Sequence, residues 1–154
     1  MQAVQCQSYG PAENLLLTDV PNLAPGDGQV LIETYSASLN FPDTLQIQGK
    51  YQFQPPLPFI PGSEISGKII ALAPGVKGFA PGDRVLASPR IGGMAEQVAC
   101  DVANVKKIPG NMDFDTAAAF PMVYNTAYHA LKQRANIRPH ETLLVLGASG
   151  GVGL

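Results

Sequence analysis

The residues best placed to do chemistry stand at the end of the sequence. Leu143-Leu-Val-Leu146 is a continuously apolar run, and it leads directly into Gly147-Ala-Ser-Gly150-Gly151-Val152-Gly153. Four glycines in seven residues let backbone N–H groups come close to a ligand. A buried parallel strand, a glycine-rich turn and a helix N-terminus, in that order, hold the pyrophosphate of a dinucleotide. The glycines fit Gly147-x-x-Gly150-x-x-Gly153 loosely, with Ala148-x-Gly150-Gly151-Val152-Gly153 as the alternative register. An ordinary strand-to-helix turn fits them equally well, so support has to come from upstream. His129 and His140 are eleven positions apart around an expected helix end, which is not a metal-ligand spacing.

Composition narrows the class. A chain of 154 residues, 45% apolar and with a net charge of −2, suits one soluble domain with its own core. That charge offers nothing to nucleic acid or to an anionic membrane surface. No apolar run approaches the roughly 20 residues of a membrane span, and the N-terminus lacks a signal-peptide pattern. Cys6 and Cys100 stand in no paired motif, so free thiols in a reducing, cytoplasmic setting are expected. Sixteen glycines and 14 prolines are well above the usual share and favour short strands and turns over long helices.

The elements that must carry the turn can be read in order. Strands are expected over 3–7, 15–20 and 30–38, punctuated by Gly10-Pro11 and Pro25-Gly-Asp-Gly28. A short helix follows from Asn40, with Pro42 near its start and Gly49 as its stop. Strands return over 64–72, from Arg84 to Leu86, over 94–99 and over 104–108. Asp113 caps a helix over 114–120, Pro121 interrupts it, and Asn125 or Thr126 caps a second helix through Ala135. Roughly 120 residues of strand thus precede a helical connection and the first strand of an α/β layer.

By Glu64 this order resembles the medium-chain dehydrogenase/reductase superfamily. The matching residues are Asn40-Phe-Pro-Asp43, Gly49-x-Tyr51, Pro61-Gly62-x-Glu64, Gly82-Asp83-Arg84-Val85 and Ala148-x-Gly-Gly-Val-Gly153, spread over essentially the whole chain. The pattern is most similar to the zinc-independent quinone oxidoreductase, zeta-crystallin-like branch. The resemblance implies a mainly β GroES-like, partly open barrel with short helices over 1–122. It implies a connecting helix and the start of a truncated Rossmann nucleotide-binding domain over 123–154. It further implies an NADPH- or NADH-dependent enzyme, a homodimer when complete, that passes hydride to a quinone or enone. The 154 residues alone would then be inactive.

Relatives that use catalytic zinc carry cysteine and histidine at the places of Asn40 and Ser63. Asparagine and serine are poor zinc ligands, and a catalytic zinc needs three protein ligands, so no zinc is expected. A carbonyl must then be polarised by hydrogen-bond donors. By resemblance Asn40 and Tyr51 face nicotinamide and substrate, Asp43 and Thr126 serve the cofactor, and Gly150, Gly151, Val152 and Gly153 take its phosphates. Each also has a structural reading: Asn40 and Thr126 as helix caps, Asp43 as a first-turn carboxylate, Tyr51 as a packed aromatic. Asp83 and Arg84 are expected to pair with each other structurally. An enoyl reductase of the same superfamily, or a non-catalytic GroES-like binding module, are the alternatives.

Overall fold

The computed structural model describes residues 1–154. Seven strands run antiparallel in two open sheets. β1 (Gln2–Gln5) and β2 (Leu16–Asp19) form a pair, and a five-stranded sheet has the order β6-β3-β4-β5-β7. In chain order these are β3 (Gln29–Ala37), β4 (Ile65–Leu72), β5 (Arg84–Ala87), β6 (Gln97–Asp101) and β7 (Val105–Lys107). The small pair is tied on by bridges Ala3↔Ala95 and Cys6↔Phe59. Val30, Ile32, Ile65, Ile69, Val85 and Val105 are almost fully buried and form the heart of the core. Burying each is worth on the order of 2 kcal/mol. Cys6 and Cys100 are buried and unpaired.

β3 and β4 are the central pair, and their register slips between Thr34 and Ser36. Gly67 is required there, because a β-carbon on it would overlap the Glu33 carbonyl oxygen. The slip bends the pair at the end from which both site-bearing segments emerge, 38–43 after β3 and 61–64 before β4. Gly62, at φ +98°, lets the second segment cross the 92–94 loop, where Gly93 N–H donates to Gly62 O at 2.9 Å. Any side chain on Gly62 would meet Met94 N at 2.8 Å.

Two helices pack on this frame. In α1 (Phe41–Ile47) the Asp43 carboxylate accepts the Asn40 N–H at 2.8 Å, and Gly49 closes the helix at φ +68°. α2 runs from Phe114 to Tyr128 and continues as a π-helical turn, His129–Arg134. Asp113 caps it as expected, accepting Thr116 N–H at 2.7 Å.

The expected break at Pro121 is corrected. The helix passes through the proline, so neither Asn125 nor Thr126 is a cap, and the expected 122/123 domain division falls inside α2. Proline removes one intrahelical donor, but the next N–H, that of Met122, is satisfied from outside by Glu64 Oε1 at 2.5 Å. A second anchor, Ser66 Oγ donating to Phe114 O at 2.5 Å, holds the start of α2 on β4.

Two further expectations are revised. Asp83 pairs with Lys107 at 2.8 Å, not with Arg84. Arg84 donates to the carbonyls of Gly110 at 2.6 Å and of Met112, and lies 4.7 Å over the Phe114 ring. It thus binds the turn that launches α2 to β5. Residues 143–146 make no strand ladder, since no strand lies alongside to supply its hydrogen bonds.

Candidate functional site

Two clefts meet where α1, the 61–64 segment and α2 converge. The larger, of about 530 Å³, is lined by Pro42, Asp43, Gln46, Tyr51, Gln52, Phe53, Ser63, Arg90 and Met122. The smaller, of about 200 Å³, is lined by Ser63, Glu64, Ser88, Pro121, Met122, Asn125 and Thr126. Ser63 and Met122 belong to both and form the partition. The structure therefore gathers Asp43, Tyr51 and Thr126 from three separate segments around one divided hollow. A volume of this order suits a ligand of one or two rings.

The polar heart of the hollow is Glu64, 1% exposed. Its Oε2 accepts Ser38 Oγ at 2.5 Å and Asn40 Nδ2 at 3.0 Å, and its Oε1 accepts Met122 N–H. A buried carboxylate is tolerable only with such donors, and here three distant segments supply them. Asn40 Nδ2 also lies 3.0 Å from Ser38 Oγ. The two acceptors are themselves 2.5 Å apart, so from Nδ2 they subtend about 50°, far less than the roughly 120° between amide N–H bonds. One N–H serves both, and the other has no acceptor in the chain.

Asp43 is 4% exposed and spends its oxygens on Asn40 N–H and, at 3.3 Å, Ser63 Oγ. Burial pushes its carboxyl above the usual range, opposed by the Asn40 and Ser63 hydrogen bonds and reinforced by nearby Glu64. The Thr126 hydroxyl donates to Met122 O at 2.6 Å, which leaves its oxygen as an acceptor toward the smaller cleft. Tyr51 is half-buried at the wall of the larger one.

The glycine turn lies on the outer side of α2. Gly150 N–H donates to Gly147 O and Gly153 N–H to Gly150 O, whereas the N–H groups of Gly151 and Val152 take no partner. Two of its glycines are demanded by space. A β-carbon on Gly151 would meet Val123 Cγ1 at 2.9 Å, and one on Gly153 would meet Gly147 O at 2.5 Å. This turn and the divided hollow flank the same turn of α2, at Val123 and Met122.

Glu64 was visible in the sequence as a motif residue of Pro61-Gly62-x-Glu64, and its role as hub was not. Its partners lie 24, 26 and 58 residues away, and the one local signal, an acid flanked by Pro61-Gly62 and an apolar strand, does not identify them. Gln46, Phe53, Arg90 and Met122 were likewise missed, because only the fold brings them together.

The comparisons agree with this architecture. The alcohol dehydrogenase GroES-like domain family matches residues 26–111. The quinone oxidoreductase-like protein 2 homolog of Nematostella vectensis is 41% identical over 99% of this chain and 42% of its own length. The crystal structure of human synaptic vesicle membrane protein VAT-1 homolog-like superposes with a TM-score of 0.97 at 41% identity, over 99% of this chain and 50% of that one. The quinone oxidoreductase of Thermus thermophilus, solved also in complex with NADPH, gives a TM-score of 0.86 at 34% identity, over 99% and 47%. The chain spans about half the length of these proteins or less. It belongs to the alcohol dehydrogenase GroES-like family, within the quinone oxidoreductase-like branch of the medium-chain dehydrogenase/reductase superfamily.

Proposed function

We propose that this chain forms the substrate-binding part of an NADPH-dependent oxidoreductase that reduces a quinone or another conjugated carbonyl without zinc. The observation that carries the reading is the divided hollow, with Tyr51 and Asp43 on one side of Met122 and Thr126 on the other; Asn40 lines neither cleft but bonds Glu64 in the wall of the smaller one, with one N–H unpaired. NADPH, when bound, supplies a hydride from its nicotinamide ring. The free N–H groups of Gly151 and Val152, in a turn where side chains on Gly151 and Gly153 would be crowded, fit its phosphates. Thr126 would orient the cofactor from the smaller cleft, and Asp43 would act by fixing Ser63 and the start of α1. Asn40 and Tyr51 would donate to the carbonyl oxygen as negative charge develops there, which favours the transition state over the ground state.

A zinc ion does not suit these side chains. No group of three or more His, Cys, Asp or Glu residues is arranged around a common point. The Glu64 oxygens already serve three donors, and its neighbours Asn40 and Ser63 are weak ligands. The division at 122/123 is retained as a functional one, with α2 shared between substrate and cofactor sides. No helix is long and apolar enough to cross a membrane. A cytoplasmic homodimer is proposed for the longer protein.

The relatives are about twice this length, and most of a dinucleotide's contacts would come from a complete nucleotide-binding domain. The 154 residues alone are therefore expected to oxidise NADPH negligibly. The test is an NADPH-oxidation assay with 1,4-naphthoquinone on these residues, on a form continued through a nucleotide-binding domain, and on its Asn40→Ala variant. The continued form should turn over, and Asn40→Ala should lower kcat about tenfold or more with little change in KM. Robust turnover by the 154 residues contradicts the domain argument, and an unchanged kcat removes Asn40 from the mechanism.

A further inference from the structure

Arg90 stands at the edge of the larger cleft with a charge that nothing in the chain answers. The only ion pair is Lys107–Asp83, and no carbonyl or side-chain oxygen accepts from the Arg90 guanidinium. Asp43 lines the same cleft but is buried, with its oxygens taken by Asn40 and Ser63. The guanidinium is nevertheless held in place, its carbon 4.2 Å over the Phe53 ring centroid. The backbone beneath it is pinned on both sides. Ser88 N–H donates to Asn104 O at 3.1 Å, Gly92 N–H donates to Ile60 O at 2.7 Å, and Pro89 is buried.

A guanidinium resting on an aromatic ring keeps its N–H fork free to bind an oxyanion. Tyr51, Ser63 and Met122 line the same cleft. We infer that the preferred acceptor carries an anionic group, a carboxylate or sulfonate on the conjugated ring or chain, and that Arg90 on its Phe53 platform binds this group. The inference deepens the acceptor reading and rests on it. Arg90 is a binding and specificity residue, with no part in the chemical step.

The test uses the 154-residue chain and two probes, 1,4-naphthoquinone and 1,4-naphthoquinone-2-sulfonate, titrated calorimetrically. Binding, unlike reduction, is insensitive to the different potentials of the two quinones. The sulfonate should bind about tenfold more tightly than the neutral quinone, with the gap narrowing as salt is raised. Arg90→Gln should abolish the gap by weakening the sulfonate much more than the neutral quinone. Arg90→Lys, which keeps the charge but loses the fork and the stack, should retain only part of it. Arg90 is exposed, so an unchanged urea midpoint will show that the variants fold. Equal affinity of the wild-type chain for both probes overturns the inference and leaves the acceptor site standing. Failure of both probes to bind overturns the inference and the acceptor site together. If Arg90→Gln leaves the sulfonate affinity unchanged, the anion is held elsewhere and the inference falls.

Discussion

The barrel and the segment after Pro121 contain similar kinds of residue and treat them oppositely. Before that point the inward side chains of the five-stranded sheet find partners, Ile32 and Ile65 being fully buried between neighbouring strands, while Leu39 and Phe41 beside the site stay open. Beyond it no residue is buried. Leu143, Leu144 and Leu146 are 50%, 79% and 84% exposed, and Tyr124 and Tyr128 show large faces on α2. Leu143-Leu-Val-Leu146 is as strand-like in composition as Val30-Leu-Ile, yet only the latter forms a ladder. What separates them is the presence of a strand on either side, which no local pattern supplies. The divided hollow sits at the seam between the two regions, with its polar hub on the buried side and its glycine turn on the exposed one.

The seam is where the difference is most easily broken. Glu64→Ala leaves the Met122 N–H, the Asn40 amide and the Ser38 hydroxyl without their shared acceptor in a buried space. We expect a loss of about 3–4 kcal/mol in urea unfolding, with Glu64→Gln costing less because one carbonyl oxygen remains. A loss under about 1 kcal/mol would show that α2 is not fastened through Glu64.

Two aliphatic truncations compare the regions directly. Ile32→Ala should cost about 3 kcal/mol through transfer and cavity terms, while Leu146→Ala should stay within about 0.5 kcal/mol. Urea melts giving equal losses would mean that residues 143–146 are packed in solution, contrary to their exposure here.

A smaller effect concerns pH. The Asp43 carboxyl is raised chiefly by burial, so the folded chain takes up its proton more readily than the unfolded one. Its contribution to stability therefore falls as pH rises from the ordinary carboxylate value to the raised folded value, and is level above that. Asp83 behaves oppositely. Its hydrogen bond to Lys107, aided by Ala80 N–H, lowers its carboxyl, and the stability this confers is present above the ordinary value and lost as pH falls through the lowered one. Asp43→Asn should remove the first slope and leave the second in stability measured from pH 3 to pH 7. Retention of both slopes would assign the upper one to another group.

Much of the barrel was legible in sequence. β3, β4 and β5 start and stop within a residue or two of the turn signals that bound them, and α1 follows from Pro42 and Gly49. β6 begins later than expected, at Gln97, because Met94 N–H is drawn to Pro61 O in crossing beneath Gly62. The continuous α2 was not legible, since Pro121 reads as a break, and the carboxylate that accepts the following Met122 N–H is 58 residues away. The site followed the same rule. Single residues at motif positions could be named, whereas the partition, the hub and the Arg90–Phe53 stack exist only through contacts between segments far apart in the chain.

The central claim is that these 154 residues already build the acceptor cleft, with Met122 between acceptor and cofactor. The chain has four methionines, at 1, 94, 112 and 122, and only Met122 lines the divided hollow. Methyl resonances of ¹³C-methionine-labelled protein, followed by NMR during titration with 1,4-naphthoquinone, report on it directly. The Met122 methyl should shift progressively to saturation while those of Met1 and Met112 stay in place. A saturable shift confined to Met1 or Met112, or no shift at Met122 at millimolar quinone, would contradict it.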